Sequence, residues 1–427
     1  MRIALVVHKF PPASVGGTEI YTQNLAQELA ARGHEVFVFY RSDQDAARGG
    51  SPWEERAGFR AYRFSRALDP ASASPWAQFM DTFANRDAEQ AFERFLREIN
   101  PDIVHFQHVM LLSYRLIEQA RRYGLPVILT LHDYWFLCSV SQLVWPNAQV
   151  CRGKALGLNC ARCVLTFRVR SPLMHALRPV AAPLLQIRDA LVRRAAHQAD
   201  LWIAPSHFLI QQYIAAGFPE GRFVYLENGI DLERIRRFAH QPSVDGRVRV
   251  TFLGSLAWQK GVHILVEAFN GLPADVARLR IWGDPKVFPA YTDRLRRLLS
   301  HPDAQWMGGV ANDRVGEVLA DTDVMVLPSL WYENSPVAIQ EARAAGVPVV
   351  ASGLGALAEK VHDKVDGLLF PPGDAAGLRQ ALQRLVNEPD LLSSLRRGTS
   401  PAMDMPQHVQ RLEEIYDLAM SAARDRI

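Results

Sequence analysis

Glu333 and Glu341 are the only glutamates in the chain with seven residues between them, and they bracket Asn334-Ser335-Pro336-Val337-Ala338-Ile339-Gln340. Ser335 is a favoured N-cap and Pro336 suits a first helical turn, so the stretch predicts a helix beginning here. The unpaired N–H groups at such a start, near Val337 and Ala338, make an anion site. Glu333 then lies in the loop before the helix and Glu341 in its second turn. A diphosphate on the helix end, flanked by carboxylates that accept hydrogen bonds from sugar hydroxyls, fits these residue types. The competing reading is a capped helix with two solvated glutamates.

Three further segments carry the same kind of signal. Gly254-Ser255-Leu256-Ala257-Trp258-Gln259-Lys260-Gly261 follows an apolar run and precedes a helical one, with Lys260 at the helix entrance, where it can meet a phosphate as a point charge. Gly16-Gly17-Thr18-Glu19 follows the first apolar run, and glycines at a helix start let the backbone approach a ligand closely. Thr130-Leu131-His132-Asp133 closes another run, and a histidine there can hydrogen-bond a sugar hydroxyl or polarise a reacting centre. A plain surface lysine, an ordinary turn and a structural histidine are the alternatives. One His-Asp pair is too little for a metal centre.

Positioning these groups requires strands that end where they begin. Apolar runs at Arg2–Val7, Glu35–Tyr40, Phe59–Phe64, Asp102–Phe106, Pro126–Leu131, Leu201–Ser206 and Arg222–Leu226 read as strands with helical patterns between most of them. The pattern restarts at Arg249–Ser255, Leu279–Asp284, Asp323–Ser329, Val347–Ser352 and Gly367–Phe370. Continuous apolar strands separated by helices imply parallel sheets covered on both faces. The expected fold is therefore α/β, with two doubly wound, Rossmann-like domains facing across a cleft. Ligands of such sheets bind beyond the carboxyl ends of the strands. The expected boundaries are 1–228 for the first domain, with an insertion at about 138–165, then a linker at 229–247 and a second domain at 248–405. A last helix at 406–427 should pack back on the first domain.

Composition restricts the function classes. The 427 residues suit two or three domains, and 48 Lys and Arg against 45 Asp and Glu leave a formal charge of +3. That balance gives no global case for nucleic acid, and no base-reading module is present. No stretch approaches the roughly 18 apolar residues of a membrane span, and the first apolar run is too short for a secretory signal. The chain reads as cytoplasmic, with membrane contact only at the inner face.

Taken together, these motifs resemble the retaining nucleotide-sugar glycosyltransferases of the GT-B fold, family 4. The resemblance covers nearly the whole chain, through Gly16-Gly17-x-Glu19, His132-Asp133, the loop from Gly254 to Lys260-Gly261, and Glu333-x7-Glu341, in family order. It implies that Glu333 holds the transferred sugar and Glu341 the ribose. Lys260 and the amides of Gly16 and Gly17 would hold the diphosphate, with His132 beside the anomeric carbon. Asn334, Ser335 and Val337 complete the donor site. Where the family usually carries an arginine after its loop glycine this chain has Ser255, so the diphosphate meets one charge fewer. The resemblance also implies retention by same-face attack, the leaving phosphate taking the acceptor's proton. Lys260 and two helix starts can stabilise that phosphate without a cofactor. The acceptor is expected to be a lipid-linked or cell-surface glycan precursor. A nucleotide-sugar epimerase and a non-catalytic sugar-nucleotide-binding homologue are the alternatives.

Two segments lie outside these motifs. Cys138, Cys151, Cys160 and Cys163 are spaced C-x12-C-x8-C-x2-C, which suggests a structural zinc, with buried thiols and redox pairing as competitors. From Leu165 to Ala199 run Arg168, Arg170, Arg178, Arg188, Arg193 and Arg194 with a single acid, Asp189. Phe167, Leu173, Met174, Leu177, Leu184 and Leu185 interleave with them, a pattern of a basic amphipathic face for an anionic membrane or of a solvated helix with one core face.

Overall fold

The computed structural model describes residues 1–14, 16–43, 51–66, 74–145, 149–166 and 176–424. The chain divides into two compact units. The first comprises Met1–Gln142, Arg152–Gly229 and Met405–Ile427, and the second Leu143–Cys151 and Ile230–Asp404. Part of the 138–165 insertion thus groups with the second unit.

The first unit contains β1 (Arg2–Val7), β2 (Glu35–Ser42), β3 (Trp53–Glu55), β4 (Arg60–Ser65), β5 (Ile103–Phe106), β6 (Val127–Thr130), β7 (Leu201–Ala204) and β8 (Phe223–Tyr225). They form one sheet in the order β3-β4-β2-β1-β5-β6-β7-β8, and every pairing is parallel except β3 with β4. Ile3 to Val7 are wholly buried, as a strand covered on both faces requires. Phe39 on β2 stacks on Tyr62 of β4 at 5.7 Å between centroids and meets Phe92 and Phe95 of the Arg86–Ile99 helix at 5.2 and 5.4 Å. These offset and tilted contacts fill one face of the sheet.

The last helix, Met405–Arg424, belongs to this unit and packs beside the Gly17–Ala31 helix. Its inward side is partly polar. Tyr416 Oη lies 2.8 Å from His105 Nδ1, and His408 Nε2 lies 2.7 Å from Tyr21 Oη.

The second unit contains β9 (Val248–Leu253), β10 (Ala277–Trp282), β11 (Ala304–Gly308), β12 (Val324–Leu327), β13 (Val349–Ser352) and β14 (Gly367–Phe370), all parallel, in the order β11-β10-β9-β12-β13-β14. Side chains along β12 alternate between two apolar clusters. Val324 and Val326 join Phe252 and Leu279 on one face, while Met325 and Leu327 join Ile339 and Val349 on the other. Both faces must therefore be covered by helices. The polar stretch after Asn228, expected as a loop, contains a short helix, Glu233–Arg236, with Ile235 buried.

Candidate active site

Two loops of the second unit meet beyond β9 and β12. After β9 the chain runs through exposed Ser255 into a 3-10 turn, Trp258–Lys260, and the Val262–Asn270 helix begins after Gly261. Lys260 therefore ends a turn rather than opening the helix. Gly261 has φ +68°, and a Cβ there would lie 1.8 Å from the Pro328 carbonyl oxygen. Only glycine permits this approach. Leu330 N donates to Gln259 O at 2.8 Å, which binds the two loops together.

Their meeting point is the buried Glu333 carboxylate. Its Oε1 accepts from Lys260 Nζ at 2.7 Å, Ser329 Oγ at 2.7 Å and Trp331 Nε1 at 2.8 Å. The Lys260 ammonium also stands 5.5 Å from the Trp331 ring centroid. The cation and the carboxylate singled out from sequence are thus direct partners.

The helix after Glu333 is Val337–Ala344, and its N-cap is Pro336, with no side-chain cap. The expected cap at Ser335 is one residue early. Pro336 takes an extended conformation at φ −63°, ψ 119°, so the helical turn starts after it. The Ser335 hydroxyl, released from capping, is buried with no hydrogen-bond partner. Asn334 is also buried. An uncapped helix start beside an unsatisfied hydroxyl suits an anionic ligand with acceptor oxygens. Glu341, in the second turn, is buried and pairs with Arg234 at 2.5 Å. Arg234 lies in the stretch read as a linker, and its only sequence signal was a basic residue among polar ones.

In the first unit, the helix that begins at Gly17 has Gly16 as its N-cap, again without a side-chain cap. A Cβ on Gly17 would meet nothing within 4 Å, whereas one on Gly16 would lie 2.4 Å from Glu19 Oε2. Gly17 is therefore the more open of the two. Glu19 is buried, held by Ser14 Oγ at 2.8 Å, with His8 Nε2 at 3.6 Å.

His132 follows β6 and is half-buried. Its Nε2 lies 2.8 Å from Gln107 Oε1, and the Gln107 amide nitrogen lies 3.1 Å from His105 Nε2. Thr130 Oγ1 donates to the same His105 nitrogen at 2.7 Å, so His105 Nδ1 carries the proton that reaches Tyr416 Oη. With its NH₂ turned to His105, Gln107 presents its oxygen to His132, which places the His132 proton on Nε2 and leaves Nδ1 as the acceptor nitrogen. Gln107 is a positioning residue that carried no motif. Burial, then the nearby His108, pushes the His132 pKa down to about 3, with Asp133 opposing. The ring is neutral near pH 7. Asp133 itself is occupied locally: Oδ2 takes His108 Nε2 at 3.1 Å and Oδ1 takes Trp135 N at 2.7 Å.

For the zinc suggested on Cys138, Cys151, Cys160 and Cys163, the structure gives the placement of the four cysteines and leaves the metal itself a proposal. Among the described residues no three His, Cys, Asp or Glu side chains are gathered so that they could hold a metal ion. Cys160 and Cys163 sit one turn apart on the Leu158–Val164 helix, and Cys160 packs against an apolar cluster containing Ala182 and Leu185. Of the basic segment, Phe167, Arg168, Arg170, Leu173 and Met174 lie outside the described residues. Arg188 is not on a solvated face. It is 2% exposed, donates to Asp189 at 2.9 Å and to Trp135 O at 3.1 Å, and covers the Trp135 ring.

A family model described as Glycosyltransferase Family 4 matches residues 15–234, and one described as Glycosyl transferases group 1 matches residues 247–388. A glycogen synthase of Mycobacterium tuberculosis is 26% identical over 400 residues, covering 91% of this chain and 87% of that protein. A GDP-mannose-dependent alpha-mannosyltransferase of the same organism is 28% identical over 402 residues, covering 91% and 89%. Among solved structures, sucrose-phosphate synthase from Thermosynechococcus elongatus matches with a TM-score of 0.72 at 22% identity, over 99% of each chain. Anabaena HepE in complex with UDP and glucose matches with a TM-score of 0.67 at 17% identity, over 98% of this chain and 99% of that one. The structural likeness is one of fold: two parallel-sheet α/β domains of the GT-B type.

Proposed function

The chain belongs to glycosyltransferase family 4, and from that premise we propose that it moves a sugar, with retention at the anomeric carbon, to a lipid-linked or cell-surface glycan precursor. It is a glycosyltransferase, and its donor is a nucleotide sugar. The observation that carries the assignment of roles is the junction at Glu333, where Lys260, Ser329 and Trp331 converge on one carboxylate oxygen just before an uncapped helix start.

In this reading Lys260 and the amides at Val337, Gly16 and Gly17 receive the diphosphate. Lys260 exchanges its contact with Glu333 for phosphate oxygens, and the freed Glu333 oxygen accepts sugar hydroxyls. Glu341 takes the ribose, and His132 offers its neutral Nδ1 face to the sugar. Ser255 adds a hydroxyl where a second cation would sit. The bond from the anomeric carbon to the phosphate oxygen breaks through an oxocarbenium-like state. The acceptor oxygen attacks the same face, and its proton passes to the departing phosphate. Positive potential at Lys260 and the helix starts lowers that barrier.

We place the reaction in the cytoplasm at the inner face of an anionic membrane. No helix among the described residues is long and apolar enough to cross a membrane, so the proposed contact is one of surface only. The test is a panel of UDP-, GDP- and ADP-sugars, each with and without polyprenyl-linked acceptors. Acceptor-dependent transfer with the anomeric configuration kept is expected. Interconversion of donor sugars without acceptor would make the protein an epimerase, and binding without turnover would make it a non-catalytic homologue.

A further inference from the structure

The Arg178–Ala196 helix carries a row of large aliphatic side chains on its exposed side. Leu177, Val180, Leu184 and Ile187, spaced along one stripe at its amino-terminal half, are all exposed, Val180 at 65% and Ile187 at 57%. Pro179, Pro183 and Ala190 share that outward side with Gln186 and Arg194, both exposed. On the opposite side Arg188 and Asp189 are buried and paired. An isolated apolar side chain on a surface is ordinary, but a contiguous stripe of large aliphatics marks an interaction surface.

A neighbouring segment carries two further exposed leucines. Gly157, at φ +87°, is pressed so close to this helix that a Cβ would lie 2.6 Å from Ala182 O. The residues on either side, Leu156 and Leu158, are both exposed, Leu156 at 84%. Leu156 has φ +53°, a left-handed conformation uncommon for residues with a side chain, and it turns the aliphatic group outward. The described residues of this segment, 152–166 and 176–199, include Arg152, Arg162 and Arg194 at exposed positions and Arg178 at a half-buried one, with a single acid, Asp189. That acid is buried and neutralised internally by Arg188 and by Lys154 at 2.5 Å.

We propose that this face docks on an anionic lipid bilayer, with Leu177, Val180, Leu184 and Ile187 entering the acyl boundary and the exposed arginines of the segment, Arg194 on the helix itself among them, meeting headgroup phosphates. It deepens, and rests on, the proposed meeting with an anionic membrane. A helix lying in the interface with an apolar face and basic flanks is held by aliphatic burial together with attraction to anionic lipid. A second copy of the chain is a poorer occupant, because it would set two strongly cationic segments against each other.

The test is co-sedimentation of the full chain with vesicles of phosphatidylglycerol and phosphatidylcholine, compared with phosphatidylcholine alone. Wild type should partition onto the anionic vesicles, and Leu184→Gln with Ile187→Gln should weaken this at least about tenfold, since two buried aliphatic groups are lost. Leu418→Gln, which alters an exposed leucine on the Met405–Arg424 helix, should change nothing. Equal binding by the double variant, or no vesicle binding by wild type, overturns the proposal. So does a wild-type dimer in light scattering that the double variant abolishes, which would give the face to a second copy. Donor affinity measured by calorimetry should be the same in all forms. Intact donor affinity and transfer without vesicle binding would reject this surface and leave the glycosyltransferase assignment standing.

Discussion

Lys260 Nζ and Glu333 Oε1 are 2.7 Å apart, so the cation assigned to the diphosphate and the carboxylate assigned to the sugar form one ion pair. Donor binding must divide that pair between two parts of the ligand. Lys260→Ala should weaken nucleoside diphosphate binding by about 1–3 kcal/mol, the range for a hydrogen bond to a charged group. Calorimetry with the nucleotide alone decides it, and unchanged affinity would remove Lys260 from the donor site.

His132→Ala and Glu333→Ala should each lower turnover at least roughly tenfold, or about 1.4 kcal/mol, because charge develops at the anomeric carbon only in the transition state. Nucleotide affinity should change much less. Wild-type rates in both variants would show that the active site has been assigned to the wrong residues.

Gln107 should act through His132. Gln107→Leu removes the acceptor that holds the His132 proton at 2.8 Å, and kcat should fall while the KM for the donor stays near wild type. Gln107→Glu keeps an acceptor and adds a negative charge, so it should recover part of the rate. It should also move the acidic limb of the pH–rate profile upward, because a nearby anion favours the protonated ring. A purely structural role would leave that limb in place.

Burial pushes the pKa of His132 down to about 3 and that of His408 to about 4, and it lowers His8 and His105 well below the ordinary value of 6.5. Below pH 6.5 the unfolded chain binds protons that the fold refuses. The stabilisation is therefore complete above about 6.5 and is lost as pH falls toward 4, by about 1.4 kcal/mol per pH unit for each such histidine. Melting temperatures between pH 7.5 and 5 should decline, and His408→Gln should flatten the decline. A profile with no slope in wild type would contradict the buried, neutral assignment.

Arg249 is buried and donates to both oxygens of Asp323, at 2.9 and 2.8 Å, and to Asp321 at 2.5 Å. Arg249→Ala would strand the largely buried Asp323 carboxylate beneath the second sheet. Its cost should be about 3–5 kcal/mol, read as an earlier denaturant transition of that unit. Arg249→Lys, without the planar fork, should recover only part of it.

The fold was legible because a parallel strand writes its burial as an uninterrupted apolar run, and Arg2–Val7 and Gly367–Phe370 appear at the residues read for them. β3 and β11 were missed: Trp53–Glu55 is short and charged, and Ala304–Gly308 is a partly exposed edge strand. Glu333, Glu341 and Lys260 were visible because their types and spacing are local. Gln107 and Arg234 were not, since their partners lie 25 and 107 residues away and nothing nearby distinguishes them. The basic segment misled for a different reason. Charge suggested which residues face water, but helical phase places Arg188 inside and Ile187 outside.

The grouping of Met405–Ile427 with the first unit gives the chain an order of assembly. All eight strands of the first sheet precede residue 226, yet His105 Nδ1 and Tyr21 Oη meet Tyr416 and His408 of the last helix. As the chain emerges from the ribosome, the second unit is complete in sequence while the first still lacks its closing helix. Until residues 405–424 arrive, His105 Nδ1 and Tyr21 Oη lack the partners and the cover that this helix brings. The unit made first is therefore the one finished last, and loss of those residues would strike the half of the enzyme farthest from them in sequence.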